Sequence, residues 1–266
     1  MSDPLGTSST PQLLLPDWPA PARVRAACTT RIGGVSQGPY ASLNMGRSGG
    51  DVPEAVSENR RRVHQALGLP AEPCWIRQVH GARAVQMPQA AQDPEPPEAD
   101  ASFTIEPGVV CAVQAADCLP VLLCDQAGTV VAAAHAGWRG LAGGVLERTV
   151  AALPVPPRDL LAWLGPAIGS EAFEVGEEVR EAFLAADAAA EQAFRPGLLA
   201  GKYYADLFVL ARMRLARTGV HRISGGGVST HADPARFYSY RRDGASGRMA
   251  ALIWIEPAGN ISGPSH

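Results

Sequence analysis

Three side chains able to bind a transition metal each lie at the end of a short apolar run. They are His80, Cys118 and His135. Two imidazoles and one thiolate suit zinc, and three protein ligands leave the fourth coordination position open for a water or a substrate atom. Structural zinc sites use all four positions for protein ligands, so an open position indicates catalysis. The sequence therefore predicts a catalytic site built around one divalent ion.

The spacing of these residues is not by itself specific for a metal, because it matches no zinc-finger pattern. A single histidine at a strand end is usually structural, and a free cysteine is commonly a small buried hydrophobic residue. The neighbouring residues favour the metal. Asp117, Arg139 and two glycine turns place polar and conformationally special groups beside strands that are expected to be buried.

Composition excludes several classes of protein. The chain has 266 residues, 46% of them hydrophobic, which suits a globular protein with a sizeable core. A net charge of −3 argues against a nucleic-acid-binding protein, which normally has a basic surplus. The basic cluster Arg60-Arg61-Arg62 lies in a helical pattern, and we expect it to form a solvated helix face.

The cysteines and the apolar pattern predict a cytoplasmic protein without a membrane segment. Five cysteines, an odd number, are widely spread and include no C-x-x-C pair, which is typical of free thiols in a reducing compartment. Asp3 stands where a signal peptide would be basic. No apolar run approaches the roughly 18 residues needed to span a bilayer.

Strands, helices and one long loop are expected to position the candidate ligands. The predicted strands cover residues 24–29, 74–79, 82–87, 109–113, 119–124, 129–134, 160–164, 220–224 and 248–255. The predicted helices run from a cap at Asp51 to Gly68, and over about 141–153, 175–190 and 205–218. Residues 30–46 are rich in glycine and turn formers, and so long a loop in a compact domain is usually functional.

The order of these elements predicts an α+β fold, with helices outside central mixed sheets, rather than a Rossmann fold. We expect one catalytic domain over residues 23–256. It is preceded by an N-terminal arm, residues 1–22, with a docking segment at Leu13-Leu14-Leu15, and followed by a C-terminal tail, residues 257–266. The proline-rich loop at 88–98 is too short to separate two cores.

Three familiar motifs do not apply. Gly34-Val35-Ser36-Gln37-Gly38 fits G-x-S-x-G, but Pro39 and the turn formers after it prevent the helix that a nucleophile elbow requires. The glycine run at 225–227 lacks dinucleotide-site spacing. Lys202 is the only lysine, so phosphate binding would fall to arginines, backbone amides or helix N-termini.

Seven sequence blocks together resemble a known family. They are 30–36 (TRIGGVS), 42–46 (SLNMG), 78–81 (QVHG), 116–120 (ADCLP), 134–140 (AHAGWRG), 165–169 (GPAIG) and 239–244 (SYRRDG). In this order they resemble the YfiH family, also called the laccase-domain or multicopper polyphenol oxidase family, over about residues 23–256.

The resemblance implies both a fold and an activity. The family fold is a layered α/β/β/α sandwich with mixed sheets, related to a toxin with a Cys-His deamidase site. The implied activity is that of a zinc-dependent purine nucleoside phosphorylase and adenosine deaminase, with zinc ligands corresponding to His80, Cys118 and His135. Relatives often have cysteine where this chain has Ser229, which weakens an oxidase interpretation that uses that thiol.

Zinc with an open position lowers the pKa of bound water from ~15.7 towards ~7 and so supplies hydroxide for attack on C6 of adenine. Adenosine would become inosine. A carboxylate is needed to transfer protons, and Asp117 beside Cys118 is the candidate. An equally weighted alternative is that Asp117 only orients a ligand.

Phosphorolysis of adenosine, inosine, guanosine or methylthioadenosine needs cations that hold phosphate near the ribose C1′. Arg139 suits this role because its guanidinium donates two parallel hydrogen bonds. The loop arginines Arg31, Arg47 and Arg241 are further candidates, each with the alternative of a surface ion pair.

Other substrate contacts are predicted from residue type. Asn44 and Gln78 could bind a sugar hydroxyl or a base edge, although amides in glycine turns more often satisfy backbone groups. Tyr240 could stack on a purine, although an aromatic residue at a strand end is commonly part of a core.

Other functional classes remain as alternatives. A copper polyphenol oxidase needs several histidine clusters, and six histidines are too few, so copper is the less favoured metal. A Cys118-His135 thiol hydrolase or amidase would not need His80. Some relatives resemble cell-wall precursor editing enzymes in cellular role. A noncatalytic binding module is least favoured. Phosphorolysis, deamination and the oligomeric state stay open at this point.

Overall fold

Two β-sheets packed face to face form the centre of a computed structural model that describes residues 10–88 and 95–258. Strands and helices are numbered along the chain. The four-stranded sheet has the order β1 (Leu13–Leu14), β2 (Val24–Thr29), β13 (Met249–Ile255) and β5 (Val110–Ala115). The six-stranded sheet has the order β12 (Arg222–Gly225), β8 (Leu160–Leu164), β6 (Leu119–Asp125), β7 (Val131–Ala136), β4 (Ala101–Thr104) and β3 (Ala84–Gln86).

The six-stranded sheet is mixed. The strand pairs β12–β8 and β3–β4 are parallel, whereas β8–β6, β6–β7 and β7–β4 are antiparallel. A third, small sheet has the order β10 (Phe194–Pro196), β11 (Lys202–Ala205) and β9 (Glu174–Gly176). The helices are α1 (Pro53–Leu67), α2 (Trp138–Ala142), α3 (Val145–Ala152), α4 (Glu177–Leu184), α5 (Leu207–Thr218) and α6 (Tyr240–Asp243).

Buried side chains separate the fold into four layers. In β5, Val110 and Ala112 pack in the cluster that includes Val63 of α1, whereas Cys111 and Val113 face the other sheet. The outer face of the six-stranded sheet packs against α2, α3, α4 and α5. Successive side chains of a strand point to opposite faces of the sheet. A sheet covered on both sides therefore needs strands with continuous apolar runs. The predicted α/β/β/α sandwich is confirmed.

Several predicted elements differ in detail. The helix expected over 141–153 is divided into α2 and α3 because Gly144, with φ of 87°, leaves the helical conformation. The helix expected over 175–190 is β9, α4 and a 3-10 helix. The strand expected over 74–79 contributes isolated bridges at Cys74 and Arg77. The N-cap of α1 is Val52, because the Asp51 carboxylate accepts hydrogen bonds from Ser36 and Asn44 instead.

The long loop at 30–46 is held by helix α1. The buried Asn59 amide accepts a hydrogen bond from Val35 N and donates to Ser36 Oγ and to the carbonyls of Ser42 and Asn44. Arg60 donates to the Met45 carbonyl. The prediction that Arg60 belongs to a solvated face is therefore wrong, whereas Arg61 and Arg62 pair with Glu58 at the surface.

The arm is described from residue 10 onward. Leu13 and Leu14 pair with Thr29 and Cys28 of β2, as expected of a docking segment, and Leu15 is exposed. Residues 1–9, 89–94 and 259–266 lie outside the described residues, so the predicted division into arm, domain and tail stays a prediction. Among the helices that the structure describes, none has the length and apolar character of a membrane span.

Candidate metal centre

Antiparallel pairing of β6 and β7 brings two of the three predicted ligands together. Cys118 directly precedes β6. His135, in β7, pairs with Pro120 of β6. His80 reaches the same place from the turn between Gln78 and Gly81. The ligand atoms of His80, Cys118 and His135 all lie within 4.8 Å of one another. No other group of three such residues occurs in the described parts of the chain.

Asp100 holds the turn that carries His80. Its Oδ2 accepts hydrogen bonds from the backbone N–H groups of Val79 (3.2 Å) and Gly81 (2.6 Å), and its Oδ1 accepts one from that of His80 (2.9 Å). His80 has φ of 58°, a left-handed conformation that costs a residue with a side chain about 1–3 kcal/mol. The buried carboxylate therefore stabilises a strained backbone at the candidate site.

The same carboxylate orients His135. Asp100 Oδ1 lies 2.9 Å from His135 Nδ1, and both side chains are buried. A metal-binding histidine usually donates its second ring N–H to a carboxylate or carbonyl, which fixes the ring and its tautomer. This contact leaves Nε2 of His135 as the nitrogen available to an ion.

The residues present fit a zinc ion. Cys118 Sγ and His80 Nε2 are 3.9 Å apart, close to the roughly 3.6 Å that separates nitrogen and sulfur ligands on tetrahedral zinc. Gly137 leaves space beside them. A Cβ at this position would lie 2.9 Å from Cys118 Sγ, 3.1 Å from His80 Cδ2 and 3.5 Å from His135 Cε1. The glycine thus keeps one side of the three ligands open.

The Cys118 thiol is more acidic than an ordinary cysteine. Burial by itself would raise its pKa, but the charge of His135 and hydrogen bonds with His135 and His80 outweigh burial and lower the pKa to about 6. Burial raises the pKa of the other four cysteines, to about 12 for Cys111 and Cys124. Because the thiolate is the form that binds metal, Cys118 alone among the five is prepared to do so.

His135 and Asp100 are shifted in the complementary directions. Burial would lower the pKa of His135, but the Cys118 charge and the hydrogen bond to Asp100 raise it to about 9. Burial would raise the pKa of Asp100, but its contacts with His135 and backbone N–H groups lower it. These opposite shifts favour a Cys118 thiolate paired with a protonated His135, so an ion that bound there would displace the His135 proton.

Asp117 braces the backbone before Cys118. Its Oδ1 accepts a hydrogen bond from Thr230 Oγ1 (2.6 Å), and its Oδ2 accepts hydrogen bonds from Ser239 Oγ (2.9 Å) and the Arg241 backbone N–H (2.7 Å). Its φ of 84° is left-handed. Apart from glycines, the described residues include only His80 and Asp117 with positive φ, and both lie at this site.

Comparisons with known proteins show the family to which the chain belongs. The family model described as multi-copper polyphenol oxidoreductase laccase matches residues 25–256. The chain is 56% identical to a protein of Pseudomonas aeruginosa named purine nucleoside phosphorylase, over 91% of this chain and 98% of that protein. It is 53% identical to purine nucleoside phosphorylase YfiH of Escherichia coli, over 92% and 99% of the two chains.

The chain belongs to the YfiH family. Solved structures agree. A Neisseria meningitidis protein with 53% sequence identity has a TM-score of 0.87, covering 92% of this chain and 99% of that chain. The Bacillus licheniformis hypothetical protein YfiH, at 29% identity, has a TM-score of 0.86, covering 93% and 97%.

The four arginines predicted to bind phosphate fall into two groups in this YfiH-family chain. Arg31 donates to the carbonyls of Ala41 and Pro234, and Arg241 donates to those of Ala172 and Glu174. The other two, Arg47 and Arg139, are exposed. Within residues 10–88 and 95–258, their guanidinium groups make no hydrogen bond or ion pair.

Arg139 is held near the candidate ligands by the helix that follows β7. It is the second residue of α2, which begins with Trp138, shortly after His135 in the chain. Its Cζ lies over the Trp138 ring, 4.3 Å from the centroid. The stacking fixes the side chain while its N–H groups stay available to a ligand.

The amides predicted to bind substrate are engaged within the protein. The buried Asn44 amide accepts hydrogen bonds from the N–H groups of Gly46 and Arg248 and donates to the Gly46 carbonyl and Asp51. Gln78 pairs with the backbone of Gln114 through both amide atoms, at 2.7 and 2.8 Å. These contacts brace the loops around the site, and a substrate-binding role for either amide stays a prediction.

Tyr240 is available at the surface. The residue is 61% exposed, and Arg248 Cζ lies 5.9 Å from its ring centroid. It is therefore not part of the core, which was the alternative from residue type. Its position at the start of α6, beside the Arg241 N–H that binds Asp117, places it near the segment that carries Cys118.

Two residues of the site were missed by the sequence analysis, Asp100 and Gly137. Asp100 follows a proline-rich loop and precedes the short strand β4, which was not predicted. A completely buried aspartate has no periodic pattern to reveal it. Gly137 was noted only as part of a turn, although its position two residues after a ligand was a usable signal.

Proposed function

We propose that this chain is a zinc-dependent purine nucleoside phosphorylase that also deaminates adenosine. The observation that carries the proposal is the convergence of His80, Cys118 and His135 within 4.8 Å, with Gly137 keeping one side open. The relatives from Pseudomonas aeruginosa and Escherichia coli, named purine nucleoside phosphorylases, support the choice of nucleoside and phosphate as substrates.

Each ligand residue has a defined task in this proposal. His80 and His135 would hold the ion through ring nitrogens and Cys118 through its thiolate, while Asp100 keeps both histidines oriented. When bound, zinc would supply a Lewis acid and an acidified water near neutral pH. Water is needed for deamination, whereas phosphate is the nucleophile in phosphorolysis.

Arg139 and Arg47 are the phosphate-binding residues we propose. Both are exposed, and neither guanidinium has a hydrogen-bonding partner among the residues that the structure describes. Arg139 is preferred because it lies four residues after the ligand His135 and is held against Trp138. Arg31 and Arg241 already donate to backbone carbonyls, which supports a bracing role for them.

Asp117 has two competing roles, proton transfer and ligand orientation. Its carboxylate oxygens accept three hydrogen bonds from Thr230, Ser239 and Arg241. These contacts support the orienting role, because a carboxylate that is already bonded and buried is less available to exchange protons with a substrate. Proton transfer by Asp117 remains the second proposal for this residue.

The thiol hydrolase is the second candidate function. The line from Asp100 through His135 to Cys118, with a thiol pKa of about 6, is the arrangement that an activated nucleophile requires. That mechanism needs no metal ligand at His80, which would only help to lower the pKa of the Cys118 thiol. A copper oxidase is less favoured, because the described residues hold one three-ligand group rather than several clusters.

The test is incubation of purified protein with adenosine, with and without phosphate, followed by separation of the products. Adenine and ribose 1-phosphate that form only with phosphate would support phosphorolysis, and inosine would support deamination. If neither appears in zinc-loaded protein, the proposed function is wrong. We also propose a cytoplasmic location, supported by five free thiols, and neither a nucleic-acid nor a membrane partner.

A further inference from the structure

The Asp100 carboxylate makes four polar contacts, one more than the carboxylate of Asp117, which also lies at the candidate metal centre. Asp100 is 0% exposed, and its two oxygens together contact three consecutive backbone N–H groups and the His135 ring. One side chain therefore touches both segments that provide the imidazole ligands.

The backbone of Asp100 is fixed as firmly as its side chain. Its N–H donates to the Arg83 carbonyl at 3.0 Å, and its carbonyl accepts a hydrogen bond from His135 N at 2.7 Å. The residue is thus held between the segment that leads into β3 and the strand β7. Because one attachment is in β7 and the other directly precedes β3, the carboxylate is carried by the six-stranded sheet, a rigid part of the fold.

We infer that Asp100 is the positioning residue for two of the three metal ligands. Its carboxylate holds Nδ1 of His135, which leaves Nε2 to bind the ion. It also keeps the turn at His80 in its left-handed conformation. Cys118 is placed independently, through the backbone next to Asp117. The inference rests on the proposed function only for the presence of the ion.

A carboxylate is required here for chemical reasons. All four contacts come from N–H groups, so both side-chain oxygens must be acceptors. An asparagine would turn an NH2 group towards one set of these donors and leave them without an acceptor. The carboxylate and the Cys118 thiolate also supply two negative charges, which would balance the charge of a divalent cation.

The experiment measures zinc affinity by competition with a chromophoric chelator in the full-length wild-type protein and in Asp100→Asn. We expect Asp100→Asn to weaken zinc binding by about 10- to 100-fold, as for other residues that orient metal ligands. Asp100→Glu keeps both oxygens and should recover part of the loss.

Asp125→Asn is the matched control. Asp125 is also buried, and it also accepts hydrogen bonds from backbone N–H groups, those of Thr129 (2.6 Å) and Val130 (3.0 Å). It lies at the opposite end of β6 from Cys118. This variant should lose stability but keep its zinc affinity. Equal losses in the two asparagine variants, or unchanged affinity in Asp100→Asn, would overturn the inference.

A second measurement uses the wild-type protein and does not depend on the folding of a variant. In the zinc-loaded protein, nitrogen NMR of His135 should show a proton on Nδ1 and the metal on Nε2. Metal on Nδ1 would overturn the inference. Absence of zinc binding by wild-type protein would refute the proposed metal site as well, which distinguishes the two failures.

Discussion

Cys118 differs from the other cysteines of the chain in the charges around it. Cys28, Cys111 and Cys124 lie among apolar side chains of the sheet-to-sheet core, where burial raises the pKa. Cys118 instead faces two imidazoles at the end of β6. The residue types alone indicated a metal ligand, but only the fold shows which of five thiols is acidic.

Metal-free protein should show one acidic thiol. The folded pKa of Cys118, about 6, is below its ordinary value of 9.0, so the thiolate's contribution to stability is present above pH 9 and lost as pH falls through about 6. His135 is raised to about 9, so its contribution is present below pH 6.5 and lost as pH rises through about 9.

The pair should therefore stabilise metal-free protein most between about pH 6 and about pH 9. Ultraviolet absorbance of the thiolate should rise with a midpoint near pH 6, and Cys118→Ser should lack this transition. A wild-type midpoint at or above pH 9 would contradict the assigned charges.

Replacing His80 by alanine should abolish metal content and nucleoside turnover together, because two ligands cannot hold the ion in an open tetrahedral site. Metal is measured by elemental analysis and turnover by product separation. His64→Ala is the control, since His64 lies in α1, away from the centre. A metal-free His80→Ala protein with full activity would favour the thiol mechanism.

Arg139→Ala should raise the KM for phosphate by about 10-fold or more, because a charged, bidentate donor contributes about 1.5–3 kcal/mol. Arg139→Lys should recover only part of this, since an ammonium group lacks the fork geometry. Arg148→Ala, at an exposed arginine of α3, is the control. An unchanged KM for phosphate in Arg139→Ala would exclude Arg139 from the phosphate site.

At the scale of elements, the connection between β7 and α2 decides how close the backbone comes to the candidate metal ligands. Gly137 has φ of −61° and ψ of 156°, which any residue can adopt, so its requirement is steric rather than conformational. Gly137→Ala should reduce zinc affinity by at least about 10-fold, because its Cβ would lie 2.9 Å from Cys118 Sγ.

The matched control for that variant is Gly49→Ala, whose Cβ would have only ordinary contacts of 3.7 Å. Both proteins should remain folded, as judged by circular dichroism. Wild-type zinc affinity in Gly137→Ala would show that the space beside the ligands is not needed.

The elements that could be predicted are those with continuous or periodic apolar patterns. β2 and β8 have the predicted bounds, and β5, β6, β7 and β13 differ by one or two residues. β4 and the small sheet β9–β11 were missed because they are short and partly polar. The prediction that Asp51 is the N-cap of α1 is wrong. Asp51 instead accepts hydrogen bonds from Ser36 and Asn44 of the 30–46 loop, which local sequence does not reveal.

At the scale of the whole molecule, the fold brings segments that are far apart in the sequence together around Asp117 and Cys118. Asp117 by itself contacts the segments at 168, 230, 239 and 241. The sequence predicted that His80, Cys118 and His135 would meet, and their ligand atoms do lie within 4.8 Å of one another. The layered fold was predicted from the family resemblance and is confirmed. The sequence did not predict Asp100, because its role depends on the pairing of β4 with β7, which brings together residues far apart in the chain.

The measurement that tests the central claim most directly is a zinc titration of chelator-stripped wild-type protein, with adenosine consumption in phosphate buffer as the readout. The rate should be near zero without metal, rise in proportion to added zinc and reach a plateau at one ion per chain. Full activity in the stripped protein, or recovery with copper but not with zinc, would contradict a catalytic zinc held by His80, Cys118 and His135.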